Sequence, residues 1–179
     1  MIGVLGFGRF GKLMVQYLAE EFPVAVRDNG KNAGRIAAVG GLPATLEKAA
    51  GRKIVILSVP ISALEQTLAS IRPHLRKDAL VVDVSSVKVL PDRWMAEHLP
   101  AGISFLPTHP MFGPDSAADS LEGKKIVLCP GRLEQGRYSS IRAYLKKRGL
   151  VVIEATPEEH DRQIAVSLAM THFIGRSLS

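Results

Sequence analysis

The stretch Gly6-Phe7-Gly8-Arg9-Phe10-Gly11 decides the fold, because it joins a strand-like run, Ile2–Leu5, to a segment with helical spacing of apolar residues. At such a junction Gly6 permits a tight turn, Gly8 lets the backbone approach a pyrophosphate, and Gly11 lets the helix pack closely on the strand. The helix N-terminus offers unpaired N–H groups to phosphates, and Arg9 adds a positive charge. The stretch therefore predicts a dinucleotide-binding turn, with a tight strand–helix turn that binds no ligand as the alternative.

An acidic residue follows this turn at the distance expected for recognition of a ribose. Asp28 lies about 20 residues after Gly6, at the end of the predicted strand Val24–Arg27, where it can accept a hydrogen bond from a 2′-hydroxyl. Arg27 and Lys31 flank it and can instead hold a 2′-phosphate, and Asp28 also begins a turn signal, Asp28-Asn29-Gly30. We therefore expect NAD or NADP as the cofactor, with NAD favoured.

The rest of the chain alternates runs typical of strands with runs typical of helices. The further predicted strands are Lys53–Val59, Ala79–Val84, Ile103–Leu106, Lys125–Cys129 and Leu150–Glu154. Two capping boxes, Ser62–Glu65 and Thr156–Glu159, predict the starts of two helices, the second of which runs from about Pro157 toward Leu178. The alternation predicts an α/β, doubly wound, mostly parallel sheet with helices on both faces, a Rossmann-like fold that ends in a long helix.

The composition is that of a globular domain with a small positive charge. Hydrophobic residues make up 46% of the 179 residues, which excludes disorder as the main state, and no apolar run reaches the roughly 18 residues of a membrane span. The net charge is +6, and the basic residues are scattered, which favours small anionic ligands over nucleic acid. The single cysteine, Cys129, excludes an internal disulfide, and no basic leader follows Met1, so we expect a cytoplasmic protein.

Small hydroxyl side chains and one histidine follow the later predicted strands, at the edge where such sheets bind ligands. The segments are Ser58-Val59-Pro60, Ser85-Ser86-Val87-Lys88 and the run from Thr108 to Ser116 that contains His109. A neutral imidazole at this edge can take a proton from a substrate hydroxyl, and a serine such as Ser86 can orient the imidazole or the substrate. The alternative for His109 is a solvated or capping role.

The last predicted helix carries two further histidines and is apolar over most of its circumference. His160 lies in its first turn, where a local hydrogen bond is the default expectation, and His172 lies among apolar residues, where a core position is the default. Because a solvated terminal helix does not need so much apolar surface, we expect this helix to pack against a second chain or to lead into another domain. No residue cluster predicts a metal site.

Four segments together resemble the prephenate and arogenate dehydrogenases of tyrosine biosynthesis. They are Gly6–Gly11, the sequence DVSSVK over Asp83–Lys88, the sequence HPMFGPDS over His109–Ser116, and His160-Asp161 followed by THFIGR over Thr171–Arg176. The resemblance covers essentially the whole chain, and HPMFGP is its most specific part. It implies an NAD(P)-dependent oxidative decarboxylation, a dinucleotide-binding domain over residues 1–156, and at residues 157–179 the start of a helical domain that forms a homodimer and helps to bind substrate.

The resemblance also implies roles for individual residues. His109 matches the histidine that hydrogen-bonds the ring hydroxyl of the substrate and assists hydride departure, and Ser86 matches the serine that positions this hydroxyl and also lies near the nicotinamide. His172 matches a histidine of the substrate pocket. We assign the remaining cofactor contacts to Gly6, Phe7, Gly8, Arg9, Phe10, Gly11, Asp28, Ser58, Val59 and Pro60.

The sequence departs from the family at two points. Ala169 stands where many members have a first histidine, three residues before the one that His172 matches, and the sequence ends at Ser179, before the helical domain that supplies an arginine for a substrate carboxylate. A non-catalytic NAD(P)-binding module or degenerate paralogue is therefore one alternative. Another hydroxyacid or imine oxidoreductase is a second, although residues 157–179 lack the lysine that such enzymes place on this helix.

Overall fold

An eight-stranded sheet with helices on both faces forms the body of the protein. The computed structural model of the 179-residue chain describes residues 1–30 and 32–166. Its strands are β1 (Ile2–Leu5), β2 (Val24–Arg27), β3 (Leu42–Pro43), β4 (Ile54–Leu57), β5 (Leu80–Asp83), β6 (Ser104–Pro110), β7 (Lys125–Leu128) and β8 (Val151–Glu154). Its helices are α1 (Arg9–Ala19), α2 (Ala33–Ala37), α3 (Leu46–Ala50), α4 (Ile61–Ile71), α5 (Val89–His98), α6 (Gln135–Lys147) and α7, which is described over residues 157–166.

The order of the strands shows where a ligand can bind. In space the order is β3-β2-β1-β4-β5-β6-β7-β8, so the chain builds the sheet outward in opposite directions from β1 and β4. In doubly wound sheets, ligands bind in the crevice outside the carboxyl ends of the strands at such a switch point. Here those ends are Leu5 and Leu57, which are partners in the sheet. The predicted segments beginning at Gly6 and Ser58 follow them directly.

The prediction of a mostly parallel sheet is confirmed, with one antiparallel pair, β6 and β7, among the described strands. That pair also corrects a boundary. The sequence places the end of the strand at Leu106, whereas β6 continues to Pro110 because Thr108 and His109 pair with β7. His109 therefore lies within a strand, where it is paired with Val127 of β7, and not in the loop that follows.

The two predicted capping boxes have opposite outcomes. The prediction for Ser62 is wrong, since α4 begins at Ile61 directly after Pro60 and no side chain in the described part caps it. The ring holds the φ of Pro60 at −55°, and Pro60 takes the N-cap position two residues before Ser62, which leaves Ser62 inside the first turn. The prediction for Thr156 is confirmed. The backbone N–H of Thr156 donates to Glu159 Oε2 (2.9 Å), and that of Glu159 donates to Thr156 Oγ1 (3.2 Å).

Apolar clusters fill the space on both faces of the sheet. The cluster that includes α4 and α5 contains Val55, Leu57, Leu64, Leu68, Val81 and Met95. The cluster that includes α1 contains Val4, Val15, Val24, Val26 and Ile36. Because β1 and the inner part of β4 are buried on both faces, their ends hold the ligand-binding edge in a fixed position.

A buried lysine ties the end of β5 to β6. The ammonium group of Lys88 donates to the carboxylate of Asp83, the last residue of β5, and to the backbone carbonyl of Thr108 on β6 (2.6 Å). Both side chains are buried. Burial lowers the pKa of Lys88, and the adjacent carboxylate of Asp83 opposes that shift. Because Thr108 precedes His109, this ion pair also fixes the backbone next to the candidate base.

Removing the carboxylate of the buried pair is expected to destabilise the fold strongly. Replacing Asp83 with Ala leaves the Lys88 ammonium group buried without its counter-charge, a change that costs about 3–5 kcal/mol in other proteins. The matched control is Asp78→Ala, because Asp78 pairs with Arg76 at an exposed site (2.9 Å) where such pairs contribute little. Urea unfolding measures both free energies. Equal values for the two variants would contradict an important role for the buried pair.

Candidate active site

One cleft at the switch-point edge brings together four of the predicted segments. It has a volume of about 390 Å³ and opens where β1, β4, β5 and β6 end. The lining residues are Gly8, Arg9, Phe10, Gly11, Ser58, Val59, Pro60, Val84, Ser86, His109 and Pro110. The glycine turn, the Ser58–Pro60 segment, Ser86 and His109 therefore share one space, as the sequence predicts for residues at the carboxyl ends of neighbouring strands.

The three glycines of the turn serve two different purposes. A Cβ at Gly6, whose φ is +99°, would lie 2.1 Å from the carbonyl oxygen of Ser58, and a Cβ at Gly11 would lie 2.4 Å from the carbonyl oxygen of Gly6. Gly6 and Gly11 are thus required by the packing of the chain itself. A Cβ at Gly8 would meet no atom of the described residues within 4 Å. Gly8 borders open space in the cleft, which fits the close approach of a phosphate group to the backbone.

The start of α1 is suited to an anion. Gly8 is its N-cap, and no side chain in the described part of the chain caps this end. The N–H groups of the first turn therefore have no side-chain hydrogen-bond acceptor. Together with the positive end of the helix dipole, they can bind an anion at this end of the helix. Arg9 also lines the cleft, and its guanidinium pairs with Asp115 (2.7 and 2.9 Å) at an exposed position.

Asp28 lies beside the turn but does not line the cleft. Its carboxylate accepts hydrogen bonds from the backbone N–H of Phe7 (3.0 Å), from Gly30 N–H (2.9 Å) and from the Asn32 amide (2.6 Å). Burial raises the pKa of Asp28, but these hydrogen bonds outweigh burial and keep the pKa below its ordinary value. Asp28 is therefore ionised at neutral pH. The side chain of Phe7 is buried in the core, so only its backbone faces this group.

His109 lines the same cleft as the glycine turn. It is half-buried on β6, and its Nδ1 lies 2.9 Å from Nε2 of His160. Burial, with the neighbouring His160 and Lys88, lowers the pKa of His109 to about 4. The imidazole is consequently neutral at pH 7, which is the state a proton acceptor needs. Ser86, which follows β5, lines the same cleft.

Two residues next to the site were not recognised from the sequence as neighbours of His109. His160 is only 2% exposed and contacts both its neighbour Asp161 and His109, so the expectation of a local bond alone is wrong. Asp161 accepts the backbone N–H groups of Lys88 (2.7 Å) and Val89 (3.0 Å) at the start of α5. One signal in the sequence could have identified these neighbours. The pair His160-Asp161 follows the capping box Thr156–Glu159 directly, and that box fixes where the helix that carries both side chains begins.

The comparison with known families decides the identity of this domain. The family model of the prephenate dehydrogenase nucleotide-binding domain matches residues 27–154. The chain belongs to the prephenate dehydrogenase family. This match begins at the last residue of β2 and runs to the end of β8, so it includes the segments that contain Ser58, Ser86 and His109, while the glycine turn lies before the matched range.

Members of the prephenate dehydrogenase family resemble this chain over nearly all of its length. A probable arogenate/prephenate dehydrogenase of Methanocaldococcus jannaschii is 34% identical over 180 residues, which cover 97% of this chain and 40% of that relative. The chain thus spans two fifths of the length of that curated relative.

Crystal structures of prephenate dehydrogenase from Aquifex aeolicus share the fold. One has a TM-score of 0.82 at 24% identity and covers 99% of this chain and 70% of that chain. Another, in complex with hydroxyphenyl propionate and NAD+, has a TM-score of 0.77 at 23% identity and covers 97% and 69%.

One residue proposed to hold a 2′-phosphate and several residues discussed with the family resemblance lie outside the described part of the chain. These are Lys31, Ala169, His172 and Arg176. Among the described residues, no group of three or more His, Cys, Asp and Glu side chains is arranged to hold a metal ion. No helix of the described part combines the length and the apolar character needed to cross a membrane.

The glycines of this family member give a direct test of the cleft. Gly8→Ala is expected to leave stability unchanged and to weaken dinucleotide binding at least tenfold, because the added methyl group projects into the open space of the cleft. Gly11→Ala is the matched comparison, since its methyl group overlaps Gly6 and is expected to cost about 1–3 kcal/mol of stability. Urea unfolding and calorimetric titration with NAD measure the two effects. Unchanged affinity in Gly8→Ala would place the nucleotide elsewhere.

Proposed function

We propose that the chain is the nucleotide-binding part of an enzyme that catalyses the NAD(P)-dependent oxidative decarboxylation of prephenate or arogenate. The observation that carries this proposal is the single cleft that joins the glycine turn to Ser86 and His109. Family membership supports the reaction class, and the names of the relatives support both substrates. A cofactor site without a base would instead favour a non-catalytic module, and the neutral His109 in this cleft argues against that alternative.

The residues present fit a dinucleotide. The N-terminus of α1 and the uncovered backbone at Gly8 suit the pyrophosphate, and the ionised Asp28 beside the turn suits the ribose hydroxyls. The Ser58–Pro60 segment and Ser86 line the cleft between that turn and His109. When bound, the nicotinamide supplies the hydride acceptor of the reaction.

His109 and Ser86 act on the substrate in this proposal. Ser86 hydrogen-bonds the ring hydroxyl and orients it toward His109. His109 would accept the hydroxyl proton while the C–H bond at the hydroxyl-bearing carbon breaks, and a bound nicotinamide would take up the hydride. The electron pair of the bond to the ring carboxylate moves into the ring, CO2 leaves, and the ring becomes aromatic. Since aromatisation drives the reaction, the residues of the cleft need only to orient the reactants and to accept one proton.

The chain is proposed to divide between Thr156 and Pro157. The last strand, β8, ends at Glu154, and the capping box at Thr156 begins α7. Residues 1–156 then form the dinucleotide-binding domain, and residues 157–179 begin a helical domain through which two chains form a homodimer. His172 is proposed to reach the substrate from that second part.

The cofactor preference is expected to favour NAD over NADP. The ionised Asp28 repels a 2′-phosphate and accepts a hydrogen bond from a 2′-hydroxyl. Asp28→Asn keeps the size of the side chain and removes its charge, so the ratio of the NADP and NAD dissociation constants is expected to fall by about tenfold, which corresponds to 1.4 kcal/mol. Calorimetric titration of both proteins with both nucleotides measures this ratio. Tighter binding of NADP by the unaltered chain would assign the ribose site to Arg27 and Lys31.

His109 is expected to be essential for turnover but not for cofactor binding. His109→Asn should lower kcat by about 10²–10⁴, the usual contribution of a general base, while NAD affinity stays within twofold. His98→Asn is the control, since His98 pairs with Glu65 (3.0 Å) away from the cleft. Formation of NADH or NADPH with prephenate and with arogenate is followed for the 179-residue chain and for the longest protein that its gene encodes. Unaltered turnover in His109→Asn would remove His109 from the mechanism, and no reduced nucleotide from either protein would favour the non-catalytic module.

A further inference from the structure

Behind the cleft, three side chains form a line that ends at His109. Asp161 Oδ1 lies 2.7 Å from Nδ1 of His160, and Nε2 of His160 lies 2.9 Å from Nδ1 of His109. The middle member, His160, is 2% exposed, so water does not compete for its ring nitrogens. Nδ1 of His109 is thus used by this line. Within the described residues, no side chain or backbone group bonds Nε2 of His109, the nitrogen left for a ligand.

The direction of the hydrogen bonds follows from the carboxylate. An ionised Asp161 can only accept hydrogen bonds, and it already accepts them from the backbone N–H groups of Lys88 and Val89. Burial raises the pKa of Asp161, but these bonds and the one from His160 outweigh burial and keep the pKa low. Nδ1 of His160 must therefore carry a proton and donate it to Asp161. If His160 is neutral, its Nε2 holds a lone pair, and His109 donates its own Nδ1–H to it.

We propose that His160 and Asp161 are positioning residues that hold His109 in the tautomer with the proton on Nδ1 and the lone pair on Nε2. This inference rests on the proposed function of His109 as proton acceptor, because it explains how the acceptor nitrogen is selected before substrate binds. If the hydrogen bond between the two rings ran in the opposite direction, His109 would have the opposite tautomer. A protonated His160 would donate to Nδ1 of His109, and a neutral His109 would then carry its proton on Nε2 and could only donate to the substrate.

Lys88 favours the neutral pair of imidazoles. Its ammonium group is buried beside Thr108, the residue before His109, and opposes a second positive charge in the same region. Asp161 acts in the other direction, since a carboxylate attracts charge on the rings. The carboxylate is largely occupied by two backbone N–H groups as well as by His160, whereas burial and Lys88 both disfavour a proton on His109. The balance favours a neutral His109, whose ring is joined to that of His160 by one hydrogen bond.

The line also depends on where α7 begins. The capping box of Thr156 and Glu159 fixes the first turn of this helix, and His160 and Asp161 follow it directly. Asp161 in turn binds the backbone that leads into α5. The position of the helix start and the tautomer of His109 are thus coupled by two neighbouring side chains.

Nitrogen-15 NMR of the imidazoles tests the proposal without any assay of activity. In long-range 1H–15N spectra of the 179-residue chain at neutral pH, protonated and unprotonated ring nitrogens have widely separated shifts, and His109→Asn identifies the signals of His109. The expected result is a protonated Nδ1 and an unprotonated Nε2 for both His109 and His160. A protonated Nε2 on His109 would overturn the proposal, and this measurement needs no variant of His160.

Two variants of His160 separate positioning from packing. His160→Leu fills the site but cannot accept a hydrogen bond, so His109 is expected to populate both tautomers and its two nitrogen shifts should move toward each other. His160→Gln keeps an acceptor oxygen near the position of Nε2 and is expected to restore the shifts of the unaltered chain. Identical spectra for the two variants would overturn the assignment, since packing alone does not distinguish them.

Turnover separates this inference from the proposed function. In the longest protein that the gene encodes, His160→Leu should lower kcat at least tenfold with KM nearly unchanged, because a base in the wrong tautomer can cost up to about 10⁴ in turnover. His160→Gln should recover most of the loss. If His109→Asn abolishes turnover while both His160 variants retain it, the proposed function stands and the positioning role falls. If no protein turns over either substrate, the NMR result still decides the tautomer.

Discussion

The backbone of the glycine turn lies so close to the end of β4 that no side chain fits between them. A Cβ at Gly6 would come within 2.1 Å of the Ser58 carbonyl oxygen, and one at Gly11 within 2.4 Å of the Gly6 carbonyl oxygen. This contact draws the β1–α1 turn and the β4–α4 turn to one edge of the sheet. The N-terminus of α1 and the Val59–Pro60 segment consequently face the same cleft. The nucleotide site therefore depends first on two glycines that are required by packing, and only then on Gly8, which borders the open space.

Two carboxylates also fix the surroundings of His109. Asp83 is the last residue of β5, and Asp161 lies near the start of α7. Asp83 neutralises the buried Lys88, which fixes the backbone next to His109. Asp161 binds the start of α5 and orients His160. Asp161 attracts positive charge to the imidazole of His109, but burial and the charge of Lys88 outweigh this attraction and keep the pKa of His109 low. The buried Lys88, whose charge Asp83 compensates, can thus lie close in space to a neutral imidazole, since its ammonium group contacts the residue before His109.

Local patterns in the sequence predict most of the fold and most of the residues of the cleft, because these features depend on residues that are neighbours in sequence. The glycine turn, the strand runs and the Thr156 cap are all of this kind. The features that the sequence did not predict depend on contacts between residues far apart in sequence, or on two residues competing for the same position at a helix start. β6 extends to Pro110 only because β7 pairs with it, and Pro60 starts α4 before Ser62 can cap it. His160 reaches His109 across 51 positions of sequence, and the burial of Lys88 depends on Asp83 and the Thr108 carbonyl, which no local propensity encodes.

In the function proposed above, the described residues act on the chemistry that prephenate and arogenate share. Both substrates carry the same ring hydroxyl and the same ring carboxylate, and they differ in the side chain at the carbon that bears this carboxylate, which holds a keto group in one and an amino group in the other. Hydride departure, proton transfer and loss of CO2 all involve the shared ring. With the tautomer proposed for His109, the base would therefore serve either substrate equally well. Selection between them then requires groups that reach the side chain, and these can change during evolution without disturbing the line from Asp161 to His109.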